Sequence, residues 1–419
     1  MKVLFLSNYY PPQTHGGYEQ WCQEVGVALA ERGHQVRVLT STGRRGTLGP
    51  TDSVDHDRVE VERALHLEVL TGLLGSGVRL VAARRRLERA NLTHVQRVVR
   101  DYRPDVALIW GMWNVPRSVP ALIEELLGSR TAFYLCDYWP SLPSAYLQQW
   151  QAPARHALSG LPKRVVSRPI VARLAREQRA RLRFEHPICV SAAVRTELVG
   201  AGVSVEHARV IYGGTQVRDL GPRANGQCPF DRLRLLYAGR LTATKGVHTA
   251  IRALGLLAQR GEHRVSLDVV GGGESGYERA LRELAQRCEV EDRVSFQGGV
   301  SHAQMPDVFV QHEVLLLPSE WEEPFARVVL EAMEAGLVVI GTTTGGTSEI
   351  LLDGETGLSF PPGDSGVLAH QIQRLLDDPA LARRLARAGR RCVDGRFRLE
   401  RMVDELEGAL REIAMPMRG

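Results

Sequence analysis

Short apolar segments alternate with helix-length amphipathic ones in two successive sets, and this alternation narrows the fold more than any other feature of the chain. In the first set, 3–7 reads as a strand and 17–32 as a helix with Trp21, Val25 and Leu29 on its apolar face. Gly33-His34 closes that helix and 35–40 is the next strand. Segments 106–110, 131–136, 187–191 and 210–212 continue the series. Residues 213–231 mix Gly, Pro, Asn and charge without periodicity and read as a linker. The second set then runs through strands at 233–239, 265–270, 294–297, 314–318, 338–342 and 357–360, with helices at 246–259 and 277–288. Alternation of this kind predicts α/β architecture with doubly wound parallel sheets. At 419 residues the chain exceeds one ordinary core. The expected organisation is a first domain over 1–212, a linker over 213–231, a second domain over 232–396 and a tail over 397–419. That tail's helix (Met402, Leu406 and Leu410 on one face) is expected to pack back on the first domain.

Bulk properties remove several classes. Hydrophobic residues make up 44% and charged residues 24%, and no apolar run approaches the roughly 20 residues of a membrane span. The N-terminus passes from Met1-Lys2-Val3 straight into Asn8-Tyr9-Tyr10-Pro11-Pro12 and reads as a strand and loop, not a signal peptide. Six scattered cysteines form no close pair, which disfavours zinc and redox motifs and fits a reducing cytoplasm. The net charge of +5 is modest, but 79–100 holds seven arginines and 163–183 eight basic residues, with apolar residues between them. Two readings stand: a solvated arginine-rich helix face, or peripheral contact with an anionic membrane at its inner face. The first is favoured because the stretches lack the Trp and Phe of strong interfacial helices. No nucleic-acid-binding motif accompanies the charge.

The residues that could carry chemistry stand where strands end. In open α/β sheets ligands bind outside the carboxyl ends of the strands. Glu320-Trp321-Glu322-Glu323-Pro324-Phe325 follows the apolar run 314–318, and a helix starting near Phe325 contains Glu331. Carboxylates there accept hydrogen bonds from sugar hydroxyls, while exposed N–H groups at a helix start bind phosphate. Arg240 and Lys245 lie five residues apart on one strand-to-helix loop and could clamp a diphosphate, stabilising the charge that grows as it leaves. That loop is no P-loop, since the G-x-x-x-x-G-K-[ST] order is absent. Gly271-Gly272-Gly273 allows either close ligand approach or a tight turn. His15-Gly16-Gly17 sits between the first strand and helix; it is not GxGxxG, so a nicotinamide cofactor is disfavoured. Asp137 ends the strand at 131–136 and either serves an acceptor hydroxyl or caps a turn. Asp55-His56-Asp57 superficially offers a metal-binding DxD but lies in a polar loop that follows no strand.

Taken in order, these motifs resemble the retaining glycosyltransferases of family 4, with the GT-B fold of two Rossmann-like domains facing a central cleft. The resemblance runs nearly end to end: Gly16-Gly17 before a helix closing in Arg32-Gly33-His34, Gly239-Arg240…Lys245-Gly246, Gly271-Gly272-Gly273, Glu323 and Glu331 spaced as E-x7-E, and Gly345-Gly346-Thr347-Ser348-Glu349. It implies a nucleoside-diphosphate sugar as donor, no required cofactor or metal, and a glycan, lipid-linked or small-molecule hydroxyl as acceptor. By resemblance, Arg240 and Lys245 grip the diphosphate and Glu331 the ribose. Glu323 binds sugar hydroxyls, assisted by backbone N–H groups of Phe325, Ala326, Arg327 and Val328. Gly16, Gly17 and Gly272 approach the diphosphate, the loop after Phe296 touches the base, and Asp137 serves the acceptor. Transfer would follow domain closure and front-side attack. Three departures are visible: Cys136 where relatives often have His, Ala326 where they have Gly, and Gly213-Gly214-Thr215-Gln216 in place of Asn-Gly-Val-Asp. A nucleotide-sugar epimerase of the same fold and a non-catalytic sugar-nucleotide-binding protein are the alternatives.

Overall fold

The computed structural model describes residues 1–14, 16–42, 58–68, 78–143, 182–216, 230–273 and 275–415. They fall into two compact units, Met1–Ile211 with Val403–Gly419, and Tyr212–Met402. The Asp55–Asp57 motif, nearly all of the basic stretch 163–183, most of the linker and Cys228 lie outside the described residues.

The first unit is built on a parallel sheet of β1 (Lys2–Ser7), β2 (Gln35–Ser41), β3 (Val59–Leu65), β4 (Val106–Ile109), β5 (Thr131–Leu135), β6 (His186–Cys189) and β7 (Arg209–Val210). Their order across the sheet is β3-β2-β1-β4-β5-β6-β7, parallel throughout. The central strands β4 and β5 are buried at every position, as expected where helices cover both faces of a parallel sheet. The strand β3 was not anticipated. It is an edge strand, mostly half-exposed, and Glu60, Glu62 and Arg63 interrupt its apolar pattern. Its charge is used: Arg37 on the neighbouring strand pairs with Glu60 at 2.5 Å.

The basic stretch 79–100 forms the helix Val78–Tyr102. Arg85, Arg86, Arg89, Arg97 and Arg100 are exposed on it, and Arg97 also pairs with Glu62. The C-terminal helix is Leu399–Ala414, and its residues from Val403 onward belong to the first unit. Within that unit Glu407 accepts from Arg32 at 2.7 Å and meets His34 Nε2 at 2.8 Å. Burial pushes the Glu407 carboxyl up, but its bonds to Arg32 and His34 and the nearby Arg411 outweigh this and bring it down to about 2.

The second unit repeats the pattern with β8 (Leu233–Ala238), β9 (Val265–Val270), β10 (Val294–Gly298), β11 (Val314–Leu317), β12 (Val338–Gly341) and β13 (Leu358–Ser359), ordered β10-β9-β8-β11-β12-β13 and again parallel. The helix Val247–Gln259 buries Ile251, Leu254 and Leu257 against this sheet's core. Helices Ser365–Asp377 and Pro379–Arg396 add to the same core through Leu368, Ile372, Leu375, Leu385 and Ala386. Each is capped by an aspartate: Asp364 accepts from Val367 N and Asp378 from Leu381 N, both at 2.9 Å.

Both sheets reverse direction at one place. The chain builds outward from β1 to β3 and returns to the other side of β1 as β4; it does the same from β8 to β10, returning as β11. These are the switch points at which a crevice opens beyond the strand ends.

Candidate active site

At the switch point of the second sheet, two loops meet. The loop after β8 carries Arg240 and Lys245, and the loop after β11 carries Glu320 to Phe325. Their backbones join through Glu320 N–H donating to Thr244 O at 2.8 Å. Gly246 makes this approach possible. It sits at φ +68°, and a Cβ there would lie 1.8 Å from the Pro318 carbonyl oxygen. The side chains meet as well, since Lys245 Nζ donates to Glu323 Oε1 at 2.5 Å. Glu323 is 8% exposed overall, so the pair is largely withdrawn from water.

A third loop fixes Glu323 from the other side. Gly346 N–H donates to the Glu323 carbonyl at 2.7 Å. The preceding Gly345 has φ +55°, and a Cβ on it would lie 2.4 Å from that same carbonyl oxygen. The turn Gly345–Glu349 thus serves as a brace for the acidic loop.

The helix holding Glu331 begins at Arg327, two residues later than the sequence suggests, with Ala326 as its N-cap. Phe325 and Ala326 therefore belong to the approach to the helix. Phe325 is buried, stacking on Tyr212 (centroids 5.6 Å apart) and meeting Phe397 edge-on at 5.6 Å. It anchors the loop. Val329 N–H is returned to Ala326 O at 3.0 Å. The first-turn N–H groups of Arg327 and Val328 are of the kind that no residue within the helix can accept.

Glu331 is held by two side chains: that of Arg327, a residue expected at the site only for its backbone N–H, and that of His302, which was not expected there. Arg327 Nε donates to its Oε1 at 2.7 Å and His302 Nε2 meets the same oxygen at 2.9 Å. Burial pushes this carboxyl up, but the charge of Arg327 and the bond to His302 overcome it and hold Glu331 at about 2. The Arg327–Glu331 spacing of four on a helix was a readable signal. His302 gave none, because it arrives from the loop after β10.

The Arg240 side chain is exposed, and its carbonyl accepts from Tyr237 OH at 2.7 Å. In the glycine triplet, Gly272 O accepts from Leu241 N at 3.0 Å, and Gly271 and Gly273 lie close against the backbone of Gly239 and Leu241. Those two glycines accordingly serve loop packing, whereas a Cβ at Gly272 would meet nothing within 4 Å. Phe296 lies on β10, packed against the core with the Arg282 guanidinium 4.4 Å above its ring.

In the first unit, Gly17 is the N-cap of the helix Tyr18–Glu31, and the Gly16 N–H donates to Glu19 Oε2 at 2.9 Å. This loop also stands at its sheet's switch point, where Asn8 N–H donates to Gly111 O at 2.9 Å. Asp137, partly buried after β5, accepts from Trp139 N–H at 2.8 Å and so caps its turn. Burial pushes its carboxyl up to about 6; the Trp139 N–H opposes the shift and Glu19 adds to it. Cys136 beside it is buried, and burial together with Asp137 pushes its thiol up. Among the described residues no group of three or more His, Cys, Asp and Glu is placed to hold a metal ion, and no helix is long and apolar enough to cross a membrane.

Comparison with known proteins bears on the family and the fold. The model for Glycosyltransferase Family 4 matches residues 15–218, and that for Glycosyl transferases group 1 matches 224–392. Glycogen synthase of Mycobacterium tuberculosis is 29% identical over 412 residues, covering 95% of this chain and 91% of that protein. D-inositol 3-phosphate glycosyltransferase of Streptomyces avermitilis is 32% identical over 297 residues, 64% of each chain. Among solved structures, HepE of Anabaena in complex with UDP and glucose superposes with a TM-score of 0.69 at 23% identity, covering 98% of this chain and 100% of that one; the likeness speaks for the GT-B fold.

Proposed function

We propose that this chain, which belongs to the family 4-like glycosyltransferases of GT-B type, moves a sugar from a nucleoside-diphosphate donor to an acceptor hydroxyl with retained configuration and without a metal ion. The observation that carries the reading is the meeting of Lys245 with Glu323 at a sheet switch point, 2.5 Å apart, with Glu331 held by Arg327 at 2.7 Å on the helix that follows. A lone basic loop or a lone acidic one would have a bland explanation. Their convergence supports pairing a cation for a diphosphate with a carboxylate for sugar hydroxyls.

In this account Lys245 and the exposed Arg240 take the diphosphate, and first-turn N–H groups of the helix from Arg327 assist. Glu323 accepts from sugar hydroxyls and Glu331 from the ribose. Release of Lys245 from Glu323 frees both groups for the donor. The bond from the anomeric carbon to the diphosphate oxygen breaks as the acceptor oxygen bonds to that carbon from the same face. The hydroxyl proton passes to the departing diphosphate. Fixed cations there lower the barrier because charge grows on the leaving group. Asp137 in the first unit serves the acceptor hydroxyl, whose source is an envelope glycan, a lipid-linked glycan or a specialised metabolite.

The test is turnover with a panel of sugar nucleotides and hydroxyl acceptors, reading nucleoside-diphosphate release and the anomeric configuration of the product by NMR. Acceptor-dependent release with retained configuration is expected. An inverted product, or donor turnover to an isomer with no acceptor, contradicts the reading.

A further inference from the structure

Both identified partners of the Glu331 carboxylate fall on one oxygen. Arg327 Nε and His302 Nε2 reach Oε1 at 2.7 and 2.9 Å, and neither bond is made to Oε2. The two tethers differ in kind. Arg327 lies one turn earlier on the same helix, so its pairing follows from helix geometry alone. His302 belongs to a different element, the turn His302–Gln304 after β10. That turn is itself fastened: Ser301 Oγ donates to Gln304 Oε1 at 2.8 Å, and Ser301 and Gln304 form a reciprocal cap. An ionised Glu331 only accepts, so the hydrogen between the two residues sits on His302 Nε2. Arg327 Nη2, 3.4 Å from that nitrogen, is then a neighbour of it and not a donor to it.

Charge compensation alone would need only Arg327. A second donor from a separate loop adds direction, because one bond leaves a carboxylate free to swing about its χ angles and two crossing bonds do not. The His302 side chain also keeps 34% of its surface exposed, while those of Arg327 and Glu331 keep 7% and 14%. It is therefore the member of the trio that stands at the open side.

We infer that His302 is a positioning residue of the donor site: by holding Oε1 it presents Oε2 of Glu331 in one orientation to the ribose hydroxyls of the nucleotide. This rests on the donor-site reading above. His302 then acts on ribose recognition and leaves the reacting bond untouched.

The experiment is calorimetric binding of UDP, ADP and GDP, each beside its 2′-deoxy counterpart, to wild type, His302→Ala and His302→Gln, with donor KM and kcat measured in parallel. Wild type should prefer the ribonucleotide. Loss of one hydrogen bond to a charged group corresponds to a change of about tenfold in affinity. His302→Ala should lose about that much ribonucleotide affinity and most of the preference, with KM raised and kcat at saturation nearly unchanged. His302→Gln, which keeps an N–H donor, should restore the preference, and thermal midpoints check that both variants fold. A ribose preference in His302→Ala equal to wild type overturns the inference while leaving the donor site standing. Equal impairment of the Ala and Gln variants also overturns it, since ring volume and not the N–H would then be the cause. Failure of wild type to bind any of the nucleotides overturns the donor-site reading itself.

Discussion

Lys245 Nζ stands 2.5 Å from Glu323 Oε1, tying the loop after β8 to the loop after β11 where the second sheet reverses its strand order. The two opposite charges compensate one another. In the function proposed above, a sugar nucleotide would supply each partner with a replacement, phosphate for the ammonium and hydroxyls for the carboxylate.

Removing either member should therefore abolish transfer. Glu323→Ala and Lys245→Ala are each expected to lower kcat/KM by at least about 100-fold, on the scale of losing a charged transition-state contact. Circular dichroism should show both variants folded. Activity near wild type in either would remove the pair from the site.

Gly345→Ala tests the brace behind Glu323. The added Cβ lies 2.4 Å from the Glu323 carbonyl at a φ of +55°, so the acidic loop must shift. A misplacement of this kind can cost about 100-fold in rate. Gly272→Ala is the contrast, since nothing lies within 4 Å of its Cβ position. Its folding stability should stay within about 0.5 kcal/mol of wild type, which chemical denaturation would measure.

Asp137 gives a pH signature. Its folded pKa of about 6 lies above the ordinary 3.8, so its contribution to stability is fully present below pH 3.8 and is lost as pH rises through 6. Asp137→Asn, which keeps an oxygen for the Trp139 N–H, should raise the thermal midpoint at pH 7.5 and lose that advantage at pH 4. If the ionised carboxylate serves the acceptor, the same variant should flatten an acid limb near pH 6 in the rate profile. An unchanged limb would assign Asp137 to turn capping alone.

Glu407 has the opposite sign. Its pKa, brought down to about 2 from 4.5, means a contribution present above pH 4.5 and lost as pH falls toward 2. Glu407→Gln should destabilise the first unit at pH 7 by on the order of 2 kcal/mol, with the deficit shrinking at pH 3. Urea unfolding at the two pH values measures it.

Transfer should persist in excess EDTA. A strict requirement for a divalent cation would return attention to Asp55 and Asp57.

Much of the fold was legible because a parallel sheet covered on both faces writes itself as short apolar runs. The stretches 106–110 and 314–318 are of this kind, and the structure makes strands of Val106–Ile109 and Val314–Leu317. The edge strand β3 was not legible: it needs no continuous apolar run, and its Glu60 and Glu62 read as loop. The helices Ser365–Asp377 and Pro379–Arg396 were passed over although Asp364 and Asp378-Pro379 announce their starts. In the site, the sequence separates Lys245 from Glu323 by 78 positions, and only the reversal of strand order brings them together. His302 was invisible for a related reason. Its role depends on where a loop after β10 ends up, and neither spacing nor composition encodes that. In the glycine triplet, where the sequence allows either ligand approach or a tight turn, Gly271 and Gly273 lie against the neighbouring backbone and Gly272 alone has open space at its Cβ position.

The central claim is that the second unit binds a nucleoside-diphosphate sugar through Lys245 and Glu323. A thermal-shift screen against UDP-, GDP-, ADP- and dTDP-sugars, run on wild type and Lys245→Ala, tests it most directly, since a ligand that binds only the folded state must raise the midpoint. The account predicts a rise with at least one sugar nucleotide in wild type and none with the same compound in Lys245→Ala. No shift with any of the four, or an equal shift in the variant, would contradict it.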